Sequence, residues 1–206
     1  SAGARLAVLS GPSFALEVAR GNPTAVVVAS ADAATARRVQ EVMSSGNLRL
    51  YRNGDPGGVA LAGALKNVVA IATGIAEGLG LGLNTRAALI TRGLAEMARL
   101  VDALGGQRET VMGLAGMGDL MLTAVGPQSR NRRLGAELAK GVGLEAALAT
   151  LGGQVAEGVS TTAAALALAA SVGVELPITE AVAGLLKGED PRAAVDGLMR
   201  RSLKEE

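Results

Sequence analysis

The stretch Val59–Leu79 is apolar almost throughout and long enough to cross a bilayer, yet it carries Lys66 and Asn67 near its middle and Glu77 near its end. Gly63, Gly74 and Gly78 punctuate it, with Gly80 just beyond. A lysine at the centre of a membrane span costs roughly 2.5–3.5 kcal/mol. The stretch therefore reads as a helix buried inside a water-soluble fold, with no stable membrane insertion. The rest of the molecule must pack around it. Hydrophobic residues make up 49% of the 206-residue chain and aromatics only 1%. That packing rests on Ala, Leu and Val, a composition for close-set helices. The length suits one large domain or two small ones.

Charge and missing residue types narrow the chemistry. A formal net charge of +1 gives no overall pull towards nucleic acid or an anionic membrane surface. The chain has neither Cys nor His, which removes disulfides, thiol nucleophiles, most zinc sites and every Ser-His-Asp or Cys-His mechanism. No metal centre is expected. Proton transfer near neutral pH would fall to a lysine or a carboxylate in a perturbed environment. A cytoplasmic location is the default for a Cys-free chain, and Ser1–Leu9 has no secretory-signal pattern. Because the sequence opens without Met and runs almost at once into a strand pattern, it reads as a fragment or a processed product.

Two patterns meet near Asp55–Gly58. Before that junction, β-rich runs at Leu6–Leu9, Thr24–Ser30 and Leu48–Tyr51 alternate with helical runs at Phe14–Arg20 and Ala31–Met43. The alternation predicts the end of an α/β layer with a mostly parallel sheet. After the junction no strand pattern occurs. Helices are expected at Val59–Glu77, Thr85–Leu104, Glu109–Leu114, Asn131–Lys140, Leu144–Leu151, Ser160–Ser171, Ile178–Leu186 and Arg192–Leu203. Glycine-rich turns that suit helix C-caps part them. Asp190-Pro191 is a start signal, an N-cap acid with Pro at the first helical position. The fold class is mainly α: a partial α/β unit over residues 1–57, then an all-helical domain over residues 58–206.

Three clusters carry chemistry. Lys66 sits in its apolar helix far from either end, with Gly63 on the same face hinting at a close approach. Burial disfavours an ammonium and a nearby carboxylate favours it, so a lysine in such surroundings can exchange a proton near neutrality. The alternative is a lysine at a helix seam, reaching solvent or paired with an acid. Asp119, in Gly116-Met117-Gly118-Asp119, lies between apolar runs; it either caps the helix that follows or holds a catalytic group, roles that can coexist. In Ser129-Arg130-Asn131-Arg132-Arg133, Ser129 as N-cap would put Arg130 and Asn131 in a first helical turn whose N–H groups and dipole suit a phosphate. Arg130 would add a charge-assisted fork. The alternative, a merely exposed basic start, sets cations against the dipole; Arg132 and Arg133 cannot both face one ligand. Gly11-Pro12-Ser13 is a weaker signal, a turn after a strand with Ser13 as N-cap, open to a phosphate or a nicotinamide or else purely structural. Gly78-x-Gly80-x-Gly82 follows a helix and Gly113-x-x-Gly116-x-Gly118 has the wrong spacing, so neither is a G-x-G-x-x-G dinucleotide fingerprint.

Together, LSGPSFALEVA, ALKNVVAIATGIAEGLGLGLNTRAALITRGLAEM, GLAGMGDLMLT, SRNRRLG, VAEGVSTT and VELPITE resemble the bacterial NAD(P)-dependent glycerol-3-phosphate dehydrogenases, in the same order and from about Leu6 to Arg200. The resemblance implies reversible reduction of dihydroxyacetone phosphate to sn-glycerol 3-phosphate for phospholipid synthesis, with NAD or NADP as cofactor. It implies that residues 1–57 are the C-terminal remnant of a Rossmann-type NAD(P)-binding domain. Residues 58–206 would be an all-α substrate-binding and catalytic domain of the 6-phosphogluconate dehydrogenase C-terminal-like kind. By the same resemblance, Lys66 is the proton donor or acceptor and Asp119 contacts substrate and holds Lys66. Ser129, Arg130 and Asn131 bind substrate, Arg130 also nearing the cofactor. Gly11 and Ser13 match substrate-contacting positions; Ala15, Val155 and Glu157 match positions near the nicotinamide nucleotide. The chain departs from the family in lacking the opening G-x-G-x-x-G unit and a substrate-binding lysine of that half, which leaves the activity of the isolated chain, the choice of NADH or NADPH and a homodimeric state open.

Two rival readings stand beside it. One is another β-hydroxyacid-type dehydrogenase, which a substrate panel separates because the Ser129–Arg133 cluster implies dependence on a phosphate. The other is a catalytically silent helical dimerisation or binding fragment, driven by exposed apolar seams.

Overall fold

The computed structural model describes residues 5–200. The β-branched run Thr24–Ala29 forms β2, the middle strand of a three-stranded sheet between β1 (Val8–Ser10) and β3 (Leu48–Asn53). Strand side chains alternate between faces. Val26 and Val28 pack with Leu50 and with Val39 of α2 (Ala33–Met43), while Val27 and Ala29 turn the other way, onto Val59 and Ala115 of the helical body. β2 and β3 are parallel, Thr24 opposite Leu48 and Ala29 opposite Asn53. The amphipathic α2, capped by Asp32 on the N–H groups of Ala34 and Thr35, makes the crossover.

The expected mostly parallel sheet needs correcting, because β1 runs antiparallel to β2, Val8 opposite Ala29 and Ser10 opposite Val27. A parallel connection needs a helix long enough to cover the sheet. The link from β1 to β2 holds only α1 (Ala15–Ala19), five residues with none buried. The chain therefore reverses instead of crossing over.

Helix α3 (Pro56–Gly78) starts earlier than the hydrophobic pattern suggests, because Asp55-Pro56 is the same start device as Asp190-Pro191. Asp55 accepts the N–H of Gly58 at 2.7 Å and that of Gln107 at 2.8 Å. Burial pushes its carboxyl upward, but these N–H groups and the Thr110 hydroxyl outweigh burial and hold it below the ordinary 3.8. Around α3 pack α4 (Gly82–Ala103), α6 (Asp119–Val125), α7 (Arg130–Leu138) and α9 (Gly158–Val172). Among the described residues α3 is the one helix long and apolar enough to cross a membrane, and most of it is buried within the fold. α5 (Arg108–Met112), α8 (Leu144–Ala149), α10 (Pro177–Leu186) and α11 (Pro191–Met199) complete an all-helical body with no strand among the described residues after β3. The end of the expected helix Arg192–Leu203, residues 201–203, lies outside the described residues. The expected helix Glu109–Leu114 stops as α5 at Met112, followed by one π-helical turn at Leu114–Gly118 and then by α6, a separate helix that the glycines of this region hid.

α10 has no side-chain cap of its own. Glu96, buried on α4, supplies one, accepting the Ile178 N–H at 2.6 Å, the Thr179 N–H at 3.3 Å and the Thr179 hydroxyl at 3.2 Å. Burial pushes the Glu96 carboxyl above its ordinary 4.5, against those bonds and the charge of Arg99. A raised folded-state value means a contribution to stability that is complete below pH 4.5 and lost as pH rises through the folded value. Glu96→Gln is expected to gain on the native chain as pH rises from 4.5 towards 8, read from urea midpoints. Glu96→Ala, which strands two buried N–H groups, is expected to lose about 2–4 kcal/mol at every pH. A Glu96→Gln difference that does not change with pH contradicts this role.

Candidate active site

Near the middle of α3, Lys66 reaches across to the first residue of α6, its ammonium Nζ donating a short hydrogen bond to Asp119 Oδ2. The lysine side chain is 19% exposed and the aspartate 5%, so the cation touches solvent while its partner is sealed. Asp119 also accepts from the Thr123 hydroxyl, and the backbone N–H of Gly11 favours its charged form. Burial pushes the Asp119 carboxyl above its ordinary 3.8, and the Lys66 charge, the Lys66 hydrogen bond and these donors only partly offset it. The π-helical turn ahead of α6 brings the acid here; in it Gly116 packs where a Cβ would strike the Val111 carbonyl. The capping role open to Asp119 is not the one it takes: α6 has no side-chain cap, and the carboxylate faces Lys66 instead.

Ser129 does cap its helix, accepting the Arg132 N–H at 3.2 Å. Helix geometry leaves the N–H groups of the following turn, on Arg130 and Asn131, without carbonyl partners inside α7. Asn131 is buried and joins three helices: its Nδ2 donates to Asn67 Oδ1 of α3 at 2.9 Å, and its Oδ1 accepts the Gly158 N–H of α9 at 2.9 Å. Gly158 fits because it has no side chain; a Cβ there would press on Ile71, Asn131 and the Asn67 carbonyl. Arg133 is exposed, and Arg132 bonds the Gly126 carbonyl and Glu77 and stays out of the cleft lining.

The turn after β1 closes the other wall. Gly11 has φ +143°, a conformation suited to glycine, and its N–H favours the charged form of Asp119. Ser13 does not cap α1; its hydroxyl donates back to the Gly11 carbonyl at 3.1 Å, and Phe14 occupies the N-cap position without a side-chain bond. The Phe14 ring lies where a side chain on Gly126 would fall. The close approach anticipated at Gly63 is Ser10 of β1, whose Oγ lies 2.8 Å from the place a Cβ would occupy.

These walls enclose a polar cleft of about 220 Å³. Gly11, Ser13, Lys66, Asp119, Ser129, Arg130, Asn131 and Glu157 all line it. Ala15 and Val155 do not; both are exposed outside the lining. The sequence reading passed over Asn67, Phe14 and Thr123, which also line it. Asn67 carried a usable signal as a second polar residue in an apolar helix, beside Lys66. Thr123 is one helical turn after Asp119 and so shares its face. No group of three or more potential metal ligands occurs among the described residues. The arrangement offers a proton-bearing ammonium, a carboxylate to hold it, and a capped helix start with an arginine a short way off.

Comparison with known proteins places the chain in a family. Residues 55–196 match the family model described as NAD-dependent glycerol-3-phosphate dehydrogenase C-terminus, and residues 1–36 match that of the N-terminus. Proteins named glycerol-3-phosphate dehydrogenase [NAD(P)+] from Acidobacterium capsulatum and Methylibium petroleiphilum are 61% and 57% identical, each over 98% of this chain. The chain spans only 60% and 61% of their lengths. The crystal structure of glycerol-3-phosphate dehydrogenase from Coxiella burnetii superposes with a TM-score of 0.91 at 48% identity, over 95% of this chain and 60% of that one. The Saccharomyces cerevisiae glycerol-3-phosphate dehydrogenase gives 0.85 at 27%, over 97% of this chain and 60% of that one. With the family model covering most of its length, the chain belongs to the NAD-dependent glycerol-3-phosphate dehydrogenase family.

Proposed function

We propose that this chain carries the substrate-binding and proton-transfer part of an NAD(P)-dependent glycerol-3-phosphate dehydrogenase, which interconverts dihydroxyacetone phosphate and sn-glycerol 3-phosphate as a soluble cytoplasmic enzyme supplying phospholipid synthesis. The observation that carries the reading is the single cleft shared by Lys66, Asp119 and the start of α7. Its volume is below the roughly 300–1,000 Å³ of pockets for drug-sized ligands and suits a small polar metabolite. Residues 58–206 form the substrate domain, and residues 1–57 contribute one wall of the cleft.

The phosphate takes the N–H groups at the start of α7 and the Arg130 fork, where anion and helix dipole agree. Asn131 and Asn67 keep that helix start in register with Lys66. The substrate carbonyl oxygen then lies against the Lys66 ammonium, which stabilises the growing negative charge and passes it a proton. Asp119 orients the ammonium. Burial raises the proton affinity of that carboxyl, and the Lys66 charge partly offsets it. Arg130 and Glu157, both in the cleft lining, fit the reactive end of a nicotinamide dinucleotide, while the sequence has no G-x-G-x-x-G turn for its pyrophosphate. NAD or NADP, when bound, supplies the hydride.

Arg130→Ala is expected to weaken glycerol 3-phosphate binding by about 1.5–3 kcal/mol, the range of a hydrogen bond to a charged group, and to leave the weak binding of unphosphorylated glycerol untouched. Calorimetric titration of the chain with both ligands reads this. Equal affinity for glycerol and glycerol 3-phosphate contradicts the phosphate assignment and favours another β-hydroxyacid-type dehydrogenase.

A further inference from the structure

The first turn of α7 holds a conflict that the proposed binding of phosphate does not remove. Arg130, Arg132 and Arg133 all lie where the helix dipole is positive, and one anion near Arg130 answers only one of them. The structure answers a second by turning it away. The Arg132 guanidinium folds back from the cleft, its Nε donating to the Gly126 carbonyl at 3.1 Å and its Nη1 donating to Glu77 Oε2. Its side chain is only 14% exposed. Gly126 is the C-cap residue of α6, and Glu77 stands in the last turn of α3, a position where an acid opposes the dipole of its own helix. Each charge is misplaced on its own element and satisfied by the other. Arg86 of α4 adds a second cation to the same Oε2 at 3.4 Å.

The geometric consequence reaches the cleft. Gly126 to Gln128 form the loop that leads into Ser129, and Ser129, Arg130 and Asn131 supply the proposed anion donors. Arg132 grips the base of that loop from within the helix the loop introduces, while Glu77 fixes Arg132 to α3, the helix that carries Lys66 eleven positions earlier. Beneath the clamp the two helices touch backbone to backbone, since a Cβ on Gly74 would fall on the Arg132 carbonyl. The start of α7 is thus held at a fixed distance from Lys66 on two sides, by Asn131–Asn67 within the cleft and by Arg132–Glu77 behind it.

Resting on the reading of the cleft given above, we infer that Glu77 and Arg132 are positioning residues. They touch no substrate, and they hold the phosphate-binding helix start in the geometry that lets one ligand reach both it and Lys66. Charge alone and positioning give opposite signs for one substitution. Glu77→Gln removes a negative charge from the neighbourhood of an anion site, which by simple electrostatics tightens anion binding. If Glu77 positions the site, the same change weakens it.

The test titrates the whole chain with sn-glycerol 3-phosphate by calorimetry and follows hydrogen exchange in residues 126–133. Glu77→Gln and Arg132→Met are each expected to raise the dissociation constant about tenfold, the loss of one such interaction, and to speed exchange across 126–133. The double variant is expected to be no worse than either single one, and Glu137→Gln, which removes a carboxylate from the far end of the same helix, is expected to change nothing. Glu77→Gln binding as tightly as the native chain or tighter, or losses that simply add in the double variant, overturns the inference. A native chain that takes up no glycerol 3-phosphate overturns instead the reading of the cleft on which it rests.

Discussion

Lys66→Met is expected to lower turnover by roughly two to four orders of magnitude, the usual contribution of a positioned proton donor. The assay is dihydroxyacetone phosphate reduction at pH 7, with this chain completed by the part of a relative that it does not span. The substitution keeps the apolar stem and deletes the ammonium, leaving Asp119 buried with no cation. Burial already pushes that carboxyl upward and losing the lysine pushes it further, so folding is expected to survive while proton transfer does not. Two further variants separate charge from proton. Lys66→Arg restores a cation beside Asp119 but has no proton to give near neutrality, so turnover is expected to stay low. Lys66→Met combined with Asp119→Asn is expected to recover stability without recovering rate. Near-native turnover in any of the three contradicts proton transfer by Lys66.

The second large effect concerns the packing that sets this site. Gly74 on α3 and Gly135 on α7 face each other's helices so closely that added side chains would fall on the carbonyl oxygens of Arg132 and Ile71. A backbone atom cannot rotate away as a side chain can, so either Gly→Ala change must part the two helices. Overpacking typically costs about 1–3 kcal/mol, and both variants are expected at or above the top of that range in urea unfolding. Whatever folded protein remains is expected to have lost glycerol 3-phosphate affinity, since α7 would stand off from Lys66. Gly46, with nothing within 4 Å of its Cβ position, is the control, and Gly46→Ala is expected within about 0.5 kcal/mol of the native chain. Equal stability of Gly74→Ala and Gly46→Ala contradicts the close seam.

Much of this arrangement is legible in the sequence, and the reasons are local. A lone lysine in a long apolar run announces itself because burying it needs a partner. Ser129 reads as a helix start because capping is decided within a few residues. The helical body follows from period and glycine spacing. What stays hidden depends on long-range contacts. Asp119 carries the same letters whether it caps α6 or faces Lys66; only the π-helical turn before it decides. Ser13 likewise reads as a cap but bonds back to the Gly11 carbonyl. The reversal at β1 turns on how short α1 is, and propensity alone does not settle that. The pairing of Asn67 with Asn131 and of Glu77 with Arg132 is unreadable because the partners lie dozens of residues apart. Ala15 and Val155, nominated by resemblance alone, stand outside the cleft lining. They remain proposals for a dinucleotide that would approach from that side.

The shared cleft is tested most directly by observing Lys66 while the phosphate site fills. In lysine labelled with carbon-13 at Cε, titration with sn-glycerol 3-phosphate is expected to move the Lys66 resonance, with a midpoint equal to the calorimetric dissociation constant, while Lys140 and Lys187 stay in place. Glycerol at the same concentration is expected to move none of them. A phosphate-dependent binding isotherm with an unmoved Lys66 resonance would place the anion and the proton donor apart, and would contradict the mechanism at its foundation.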